Sequence, residues 1–315
     1  MKCVFFGSPE FAVASLDALL ASNHEVAGIV TQPDRPAGRG LKLEPPAVKV
    51  RALEKNIPIL QPEKVNREET YSFLERLAPD ILVVVAYGGF LGEKLLKFCK
   101  FPPVNVHPSL LPDLRGAAPM QWAVLKGYAN TGVTTQFMVK EMDAGDVLLQ
   151  VPATIGENES AKELQDRLKV VGGNLIVATL DGLEKGSITP RKQDGSKATL
   201  APLLSKEQGL IHFAQETAQT IHNQVRGLFP WPGAYTYLNK KRIKILQARM
   251  APGKAGGRGG VFWFEEERLF VHCREGALEI LRLQPEGKPA ILPREFENGM
   301  KTQGLAQVFD SGDST

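Results

Sequence analysis

The run Ile81-Leu82-Val83-Val84-Val85 restricts the fold more than any other stretch. Five branched apolar residues in a row suit a strand buried on both faces, the setting of a parallel sheet covered by helices. The rest of the first half alternates short apolar runs with amphipathic stretches, as such a sheet requires. Lys2 to Phe6 reads as a first strand, and Ser8-Pro9-Glu10 as an N-cap, a proline at the first helical position and an early acid for a helix to about Ala21. Glu25 to Thr31 reads as a strand, Ala47 to Asn56 as a helix, and Val104 to Val106 as a short strand ending at His107. Ala117 to Gly127 follows as a helix and Val133 to Glu141 as a half-buried strand. Ser160 to Glu184 is a long amphipathic helix opened by a capping box, Ser160-Ala161-Lys162-Glu163. The expectation is an α/β chain whose first domain, residues 1–189, is a Rossmann-like parallel sheet.

Residues 190–205 lack periodicity and suit a linker, with the boundary near Pro190. Lys206 to Gln224 is helical in pattern. Ala234 to Leu238, Arg242 to Arg249, Val261 to Phe264, Arg268 to His272 and Leu278 to Leu283 are short β-like runs between glycine turns. They imply a second, smaller β-barrel domain, OB-like, over residues 206–315. With 315 residues, 43% of them hydrophobic, the chain can fill two cores. The first apolar run stops at Gly7-Ser8-Pro9-Glu10, too short for a signal peptide, and no stretch is long enough to cross a bilayer. Cys3, Cys99 and Cys273 are far apart and without metal-ligand spacing, so they read as reduced, buried thiols of a cytoplasmic protein. A net charge of +3 does not by itself call for nucleic acid.

Gly7-Ser8-Pro9-Glu10-Phe11-Ala12 follows the first strand but lacks the second and third glycines of a dinucleotide-binding turn. Ligands of open α/β sheets still bind at the carboxyl ends of the strands, where Ala86-Tyr87-Gly88 and His107 fall. Asn105-Val106-His107 and Met142-Asp143-Ala144-Gly145-Asp146 supply an amide, an imidazole and a carboxylate with no nucleophile. Such a set polarises a carbonyl, stabilises an oxyanion and moves protons, which points to direct transfer between two bound substrates. Taken alone, Asn105 and His107 read equally as a strand-end pair satisfying a turn. Asp146 reads as a support that accepts backbone N–H groups.

Asn105 to Pro112 (NVHPSLLP), Arg115-Gly116-Ala117-Ala118-Pro119 and Met142 to Asp146 together resemble the folate-dependent formyltransferases. The likeness extends to Thr31–Gly40 and to Arg226–Ala234, and so covers nearly the whole chain; it is nearest to the members that act on methionyl-tRNA. The resemblance implies that Asn105, His107 and Asp143 are catalytic and that 10-formyltetrahydrofolate is a cosubstrate, with no metal. It implies that Ser109, Leu110, Leu111 and Pro112 wall the folate, with Tyr87 and Gly88 adding contacts. Asp143 is expected to orient His107 and raise its pKa, so that an imidazolium and the Asn105 amide donate to the oxyanion.

The resemblance also implies that the loop Gln32–Pro46 engages the acceptor end of initiator methionyl-tRNA, through Arg39 and Lys42. Lys206 is a further candidate. From Lys240 to Arg258 the sequence holds Lys240, Lys241, Arg242, Lys244, Arg249, Lys254 and Arg258 without an acid, which reads either as a solvated face or as a track for a phosphate backbone. Trp231 and Phe229 read as packing residues. A monomer with no membrane partner is expected. Two rivals remain: a relative that formylates the amine of a nucleotide sugar, and a non-catalytic RNA-binding protein. A purine-pathway formyltransferase would leave the second domain unexplained.

Overall fold

A computed structural model describes residues 1–37, 42–254, 256–301 and 307–310. In chain order the elements are β1 (Lys2–Gly7), α1 (Glu10–Leu20), β2 (Glu25–Val30), β3 (Arg35–Ala37), β4 (Lys42–Glu44), α2 (Ala47–Glu54), β5 (Ile59–Leu60), α3 (Glu68–Leu77), β6 (Ile81–Val85), α4 (Glu93–Leu96) and β7 (Val104–His107). There follow α5 (Pro119–Leu125), β8 (Asn130–Phe137), β9 (Val147–Thr154), α6 (Ala161–Glu184), α7 (Ala218–Gly227), β10 (Ala234–Leu238), β11 (Lys241–Met250), β12 (Phe262–Glu265), β13 (Arg268–His272), β14 (Ala277–Pro285) and α8 (Pro293–Lys301). Two compact units share the chain. One comprises Met1–Pro119, Asn130–Thr154 and Gln165–Ala201; the other comprises Met120–Ala129, Ile155–Leu164 and the residues from Pro202 on.

The first unit is built on one sheet in the order β5-β2-β1-β6-β7-β8-β9. Its first five strands are parallel, as the apolar runs predict. The last two are not: β8 runs antiparallel to β7, and β9 antiparallel to β8, so the sheet is mixed. The sequence reading had no strand at β9, whose burial is irregular and which contains Pro152; an edge strand tolerates that residue because one side of its ladder is unpaired. Ile81 to Val85 are all buried. Beneath them α3, also absent from the sequence reading, contributes Tyr71, Phe73 and Leu74 to a core with Val4, Phe6, Leu82 and Val84. Ser8 is not the N-cap of α1, since Pro9 occupies that position. Instead its hydroxyl donates to the Tyr87 carbonyl at 3.3 Å and accepts from the Thr31 hydroxyl at 3.3 Å and the Gln32 N–H at 3.1 Å. It thereby ties together the carboxyl ends of β1, β2 and β6.

The stretch after Pro190, expected as a linker, stays with the first unit through Ala201. Arg191 exchanges both main-chain hydrogen bonds with Val147, and Ala201 does so with Arg115 and Ala118. At the amino-terminal ends of the strands, the Met1 ammonium donates to Glu184 and faces His24 Nδ1 at 3.1 Å, while His24 Nε2 lies 3.2 Å from Asp181.

In the second unit a five-stranded antiparallel sheet has the order β10-β11-β14-β13-β12. Two of its hairpins turn on paired left-handed residues, Asn239-Lys240 and Glu266-Glu267, the geometry that matches strand twist. Phe213, Phe262, Leu278 and Phe309 lie in its core. Residues 307–310 bridge to both sides of the sheet, Val308 to Val261 and Asp310 to Tyr237. By sequence the polar stretch Asp310 to Thr315 reads as a frayed end; Asp310 itself pairs with Tyr237, and residues 311–315 lie outside the described residues. The helix expected over Lys206–Gln224 forms only from Ala218, where the Thr217 hydroxyl caps it by accepting from Thr220 N–H at 3.1 Å. Before that point Ile211 N–H bonds to the Tyr235 carbonyl, so pairing with β10 overrides the helical pattern. The capping box of α6 forms as expected: Ser160 N–H donates to the Glu163 carboxylate at 2.8 Å, and Glu163 N–H to the Ser160 hydroxyl at 3.2 Å. Among the described residues no helix is long and apolar enough to cross a membrane.

Candidate active site

Asn105 and His107 are alternate residues of β7, so both side chains leave the same face of the sheet. Asp143 comes to them from the connection between β8 and β9. Its Oδ1 lies 3.6 Å from His107 Nδ1 and 3.5 Å from Asn105 Nδ2. The three residues that the sequence reading grouped therefore meet. Two further donors, which it did not single out, fix the carboxylate: Gln136 Nε2 reaches Oδ1 at 3.0 Å, and the Gly116 N–H reaches Oδ2 at 2.9 Å. Gln136 is the cross-strand partner of Asn105. Only the register of β7 with β8 reveals that pairing, and no local motif signals it.

The backbone around the carboxylate is strained. Asp143 has φ 51° and Leu114 φ 60°, left-handed values that disfavour side chains with a Cβ. A Cβ at Gly145 would sit 1.7 Å from the Phe137 carbonyl oxygen, and one at Gly116 2.6 Å from that of Ala201. Those two glycines let the chain pass close enough for Gly116 N–H to reach Asp143. Asp146 acts through its main chain, its carbonyl accepting from Phe137 N–H at 2.9 Å, rather than through its carboxylate as expected.

His107 is buried, and its Nε2 donates to the Leu114 carbonyl at 3.0 Å. Burial drives its pKa below the ordinary histidine value, against the opposing pull of Asp143 and of the Leu114 carbonyl. Asp143 does raise the pKa, but desolvation of the enclosed ring outweighs it, and the neutral imidazole is the resting form.

The expected folate wall divides in two. Ser109 is wholly buried, and its hydroxyl donates to the Asp113 carbonyl at 2.5 Å, so that side chain is a pin of the turn rather than an exposed contact. Leu111 is also buried; its N–H donates to the Thr134 hydroxyl, and its carbonyl accepts from Gln150 Nε2 at 2.9 Å. Leu110 and Pro112 are half-buried. After β6, Ala86 (φ 46°) and Gly88 (φ 77°) turn the chain and leave Gly88 exposed. Tyr87 points inward, its ring edge-on to Phe6 at 5.5 Å. Its hydroxyl is buried without a hydrogen-bond partner, and burial pushes its pKa up to about 12.

In the second unit, Lys206, Lys240, Lys241 and Arg242 are exposed. Lys240 occupies the β10–β11 turn, and the Arg242 guanidinium sits 5.7 Å over the Tyr235 ring. The basic run is not free of acids in space. Arg249 pairs with Glu279 at 2.8 Å, which also binds Arg268, and Lys254 pairs with Glu265. Strand pairing brings Glu279 in from β14, whereas Glu265 belongs to the acidic cluster Glu265-Glu266-Glu267 that follows the basic run in sequence. Trp231 is 56% exposed, contrary to its reading as a packing residue. Arg39 lies outside the described residues, and Lys42 is placed only as a backbone position of β4 opposite Ala37.

As to metal ligands, His24, Asp181 and Glu184 offer donor atoms within 4.8 Å of one another, at the amino-terminal ends of the strands and on the far side from His107. The three cysteines are free thiols whose pKa values burial pushes up to about 12.

Residues 1–180 match the family described as formyl transferase, and residues 203–301 match the formyl transferase C-terminal domain. A protein of Geobacter sulfurreducens named methionyl-tRNA formyltransferase is 42% identical over 99% of this chain and 98% of its own. One of the same name from Pelobacter propionicus is 46% identical over 94% and 92%. Among solved structures, the sugar 3N-formyl transferase WlaRD has a TM-score of 0.67 at 19% identity, covering 92% of this chain and 99% of its own. HypX of Aquifex aeolicus in complex with tetrahydrofolic acid has a TM-score of 0.63 at 19% identity, covering 97% of this chain and 48% of its own. These distant structures bear on the fold alone. The match over residues 1–180 spans more than half of the chain, and the two relatives align with it nearly end to end, so the protein belongs to the formyl transferase family.

Proposed function

We propose that this protein transfers the formyl group of 10-formyltetrahydrofolate to the amino group of methionine esterified to initiator tRNA, giving N-formylmethionyl-tRNA for translation initiation. The observation that carries the reading is its near end-to-end identity of 42–46% with proteins named methionyl-tRNA formyltransferase. The distant solved structures support the fold and leave the acceptor open.

In this reading Asn105, His107 and Asp143 are the catalytic residues. Asn105 Nδ2 is held by Asp143 only at 3.5 Å, a weak bond, so its N–H can turn to the oxygen of the transferring formyl group as negative charge develops there. His107 begins neutral. With Nε2 committed to the Leu114 carbonyl, Nδ1 is the position that takes up the proton released as the amine attacks. Asp143 stabilises the resulting imidazolium, and His107 then returns the proton to the leaving nitrogen of the folate. The folate is a cosubstrate. Leu110 and Pro112 form its wall, Gly88 offers main-chain groups, and Ser109, Leu111 and Tyr87 support that surface from behind.

Residues 1–189 are the catalytic domain, onto which the first part of the 190–205 connection packs back through Ala201, and 206–315 are the tRNA-binding domain, an OB-like barrel closed by the 307–310 segment that bridges both sides of its sheet. Arg39, Lys42, Lys206, Lys240, Lys241 and Arg242 contact tRNA phosphates, and the enzyme works as a cytoplasmic monomer. The test is to incubate the purified protein with 10-formyltetrahydrofolate and methionine-charged initiator tRNA, with an amino-sugar nucleotide in parallel, and to identify the formylated product by mass spectrometry. Formylmethionyl-tRNA that is lost in His107→Ala is the expected result. A formylated sugar with untouched tRNA overturns the reading.

A further inference from the structure

We infer that Gln193 is a positioning residue for Asp143, an inference that rests on the catalytic reading of Asp143. Gln193 lies in the polar stretch after Pro190, with nothing in its local sequence to suggest a role in the site. Its side chain nevertheless enters the turn that carries the carboxylate. Nε2 donates to the main-chain carbonyls of Asp143 at 2.8 Å and Gly145 at 2.7 Å, with Gln136 Oε1 at 3.2 Å. On its other side, Oε1 accepts from both Nε and Nη2 of Arg115, at 3.1 and 2.8 Å. Gln136 in turn donates to Asp143 Oδ1, and the residue after Arg115 is Gly116, whose N–H holds Oδ2. One amide thus braces the main chain of the turn and both groups that fix its carboxylate.

The polarity of these contacts selects an amide. The turn offers two carbonyl acceptors and Arg115 offers only donors, so the occupant must donate at one end and accept at the other. A glutamate keeps the Arg115 bonds but sets an oxygen against the carbonyls of Asp143 and Gly145. The need for a brace is local: Asp143 is held in a left-handed conformation, and such strained residues persist only where their surroundings over-determine them. Released, the turn carries the carboxylate away from His107 Nδ1, and a displacement of about 1 Å in a catalytic group costs about 100-fold in rate.

The experiment compares wild type, Gln193→Ala, Gln193→Glu, Asp143→Asn and Gln193→Ala combined with Asp143→Asn. Rates are taken with 10-formyltetrahydrofolate and whichever acceptor wild type formylates, methionyl-tRNA or an amino-sugar nucleotide, and thermal unfolding is followed alongside. Gln193→Ala is expected to lower kcat by about 10- to 100-fold while KM for either substrate moves by less than about threefold. Gln193→Glu is expected to be no better than the alanine variant, although it still pairs with Arg115. With Asp143→Asn already present, the loss on Gln193→Ala should shrink to within about threefold, because the carboxylate it positions is gone. An undiminished loss in that background, or a wild-type rate in Gln193→Glu, overturns the inference. Should Gln193→Ala fail to fold, Gln193→Glu and Arg115→Lys, which keeps the charge but not the two-nitrogen fork, make the same comparison. Wild type that formylates neither acceptor overturns the function reading and this inference with it. Wild-type turnover with Gln193→Ala unimpaired overturns the inference alone.

Discussion

The carboxylate of Asp143 in the first unit and the basic run of β11 in the second are both charged clusters, yet they are made in opposite ways. Asp143 receives Gln136 and Gly116 within hydrogen-bond distance, with His107 buried beside it. Lys240, Lys241 and Arg242 stand in solvent, while Arg249 and Lys254 farther along the same run are already neutralised by Glu279 and Glu265. A buried site gains strength from low dielectric and fixed geometry; an exposed one acts through the number of charges left unpaired. Each removal below is expected to act in the currency of its own unit, and a result in the other currency breaks the comparison.

The largest effect belongs to the buried site. His107→Ala should lower kcat/KM by about 100- to 10,000-fold, the range of general acid–base catalysis, while the unfolding midpoint stays near wild type. A loss below tenfold would remove His107 from the chemistry. Asp143→Asn sharpens the same point through pH. Burial lowers the His107 pKa and Asp143 raises it, so deleting the carboxylate charge leaves burial less opposed and lowers the pKa further. If the neutral ring is the active form, activity persists above that pKa and is lost as pH falls through it, so the residual activity of the variant should extend to lower pH. An imidazole titration followed by NMR that moves upward in the variant would contradict this account.

Next in size is Glu279, a charge of the second unit that is buried like those of the first. It is buried, and the hydrogen bonds from Arg268 and Arg249 hold its pKa at about 2, well below the ordinary 4.5. A carboxylate whose pKa is lowered by folding stabilises the protein above its unfolded pKa and loses that contribution as pH falls through its folded value. Its contribution is about 3 kcal/mol at most and nearer 2 kcal/mol here, since both arginines are about half exposed. Glu279→Gln should therefore cost about 2 kcal/mol at pH 7, and the gap to wild type should close between about pH 4.5 and pH 2 in denaturant titrations. A gap that persists unchanged at pH 2 would assign the cost to packing instead.

The same contrast explains what could be read without coordinates. Ile81–Val85, Arg268–His272 and the capping box of α6 are local patterns and appear where expected. Asn105, His107 and Asp143 were legible because the motifs around them are specific, although Asn105 and Asp143 stand 38 residues apart in sequence and meet through the pairing of β7 with β8. Gln136, Gln193 and the Glu279 opposite Arg249 were not legible, because each is recruited by strand register or by a returning segment. The balance at His107 was half legible for a related reason: the sequence displays the carboxylate that raises its pKa but not the burial that outweighs it.

The smallest effect falls to the exposed run and decides whether it touches RNA at all. Lys241→Ala and Arg249→Ala remove the same charge from opposite ends of one strand, but Lys241 is exposed, whereas Arg249 is already paired with Glu279. If the proposed tRNA track includes Lys241, its loss should weaken binding several-fold at low salt and reduce the slope of log affinity against log salt by about 0.9, the value for the counterions released when one phosphate of a B-form duplex is neutralised and somewhat less for a single strand. Arg249→Ala should leave that slope unchanged and act on stability instead, because its counterion is the carboxylate and not a phosphate. Filter binding of methionyl-tRNA across a salt series measures both. Equal slopes for the two variants and wild type would make β11 a solvated face and shift the tRNA contacts to other residues.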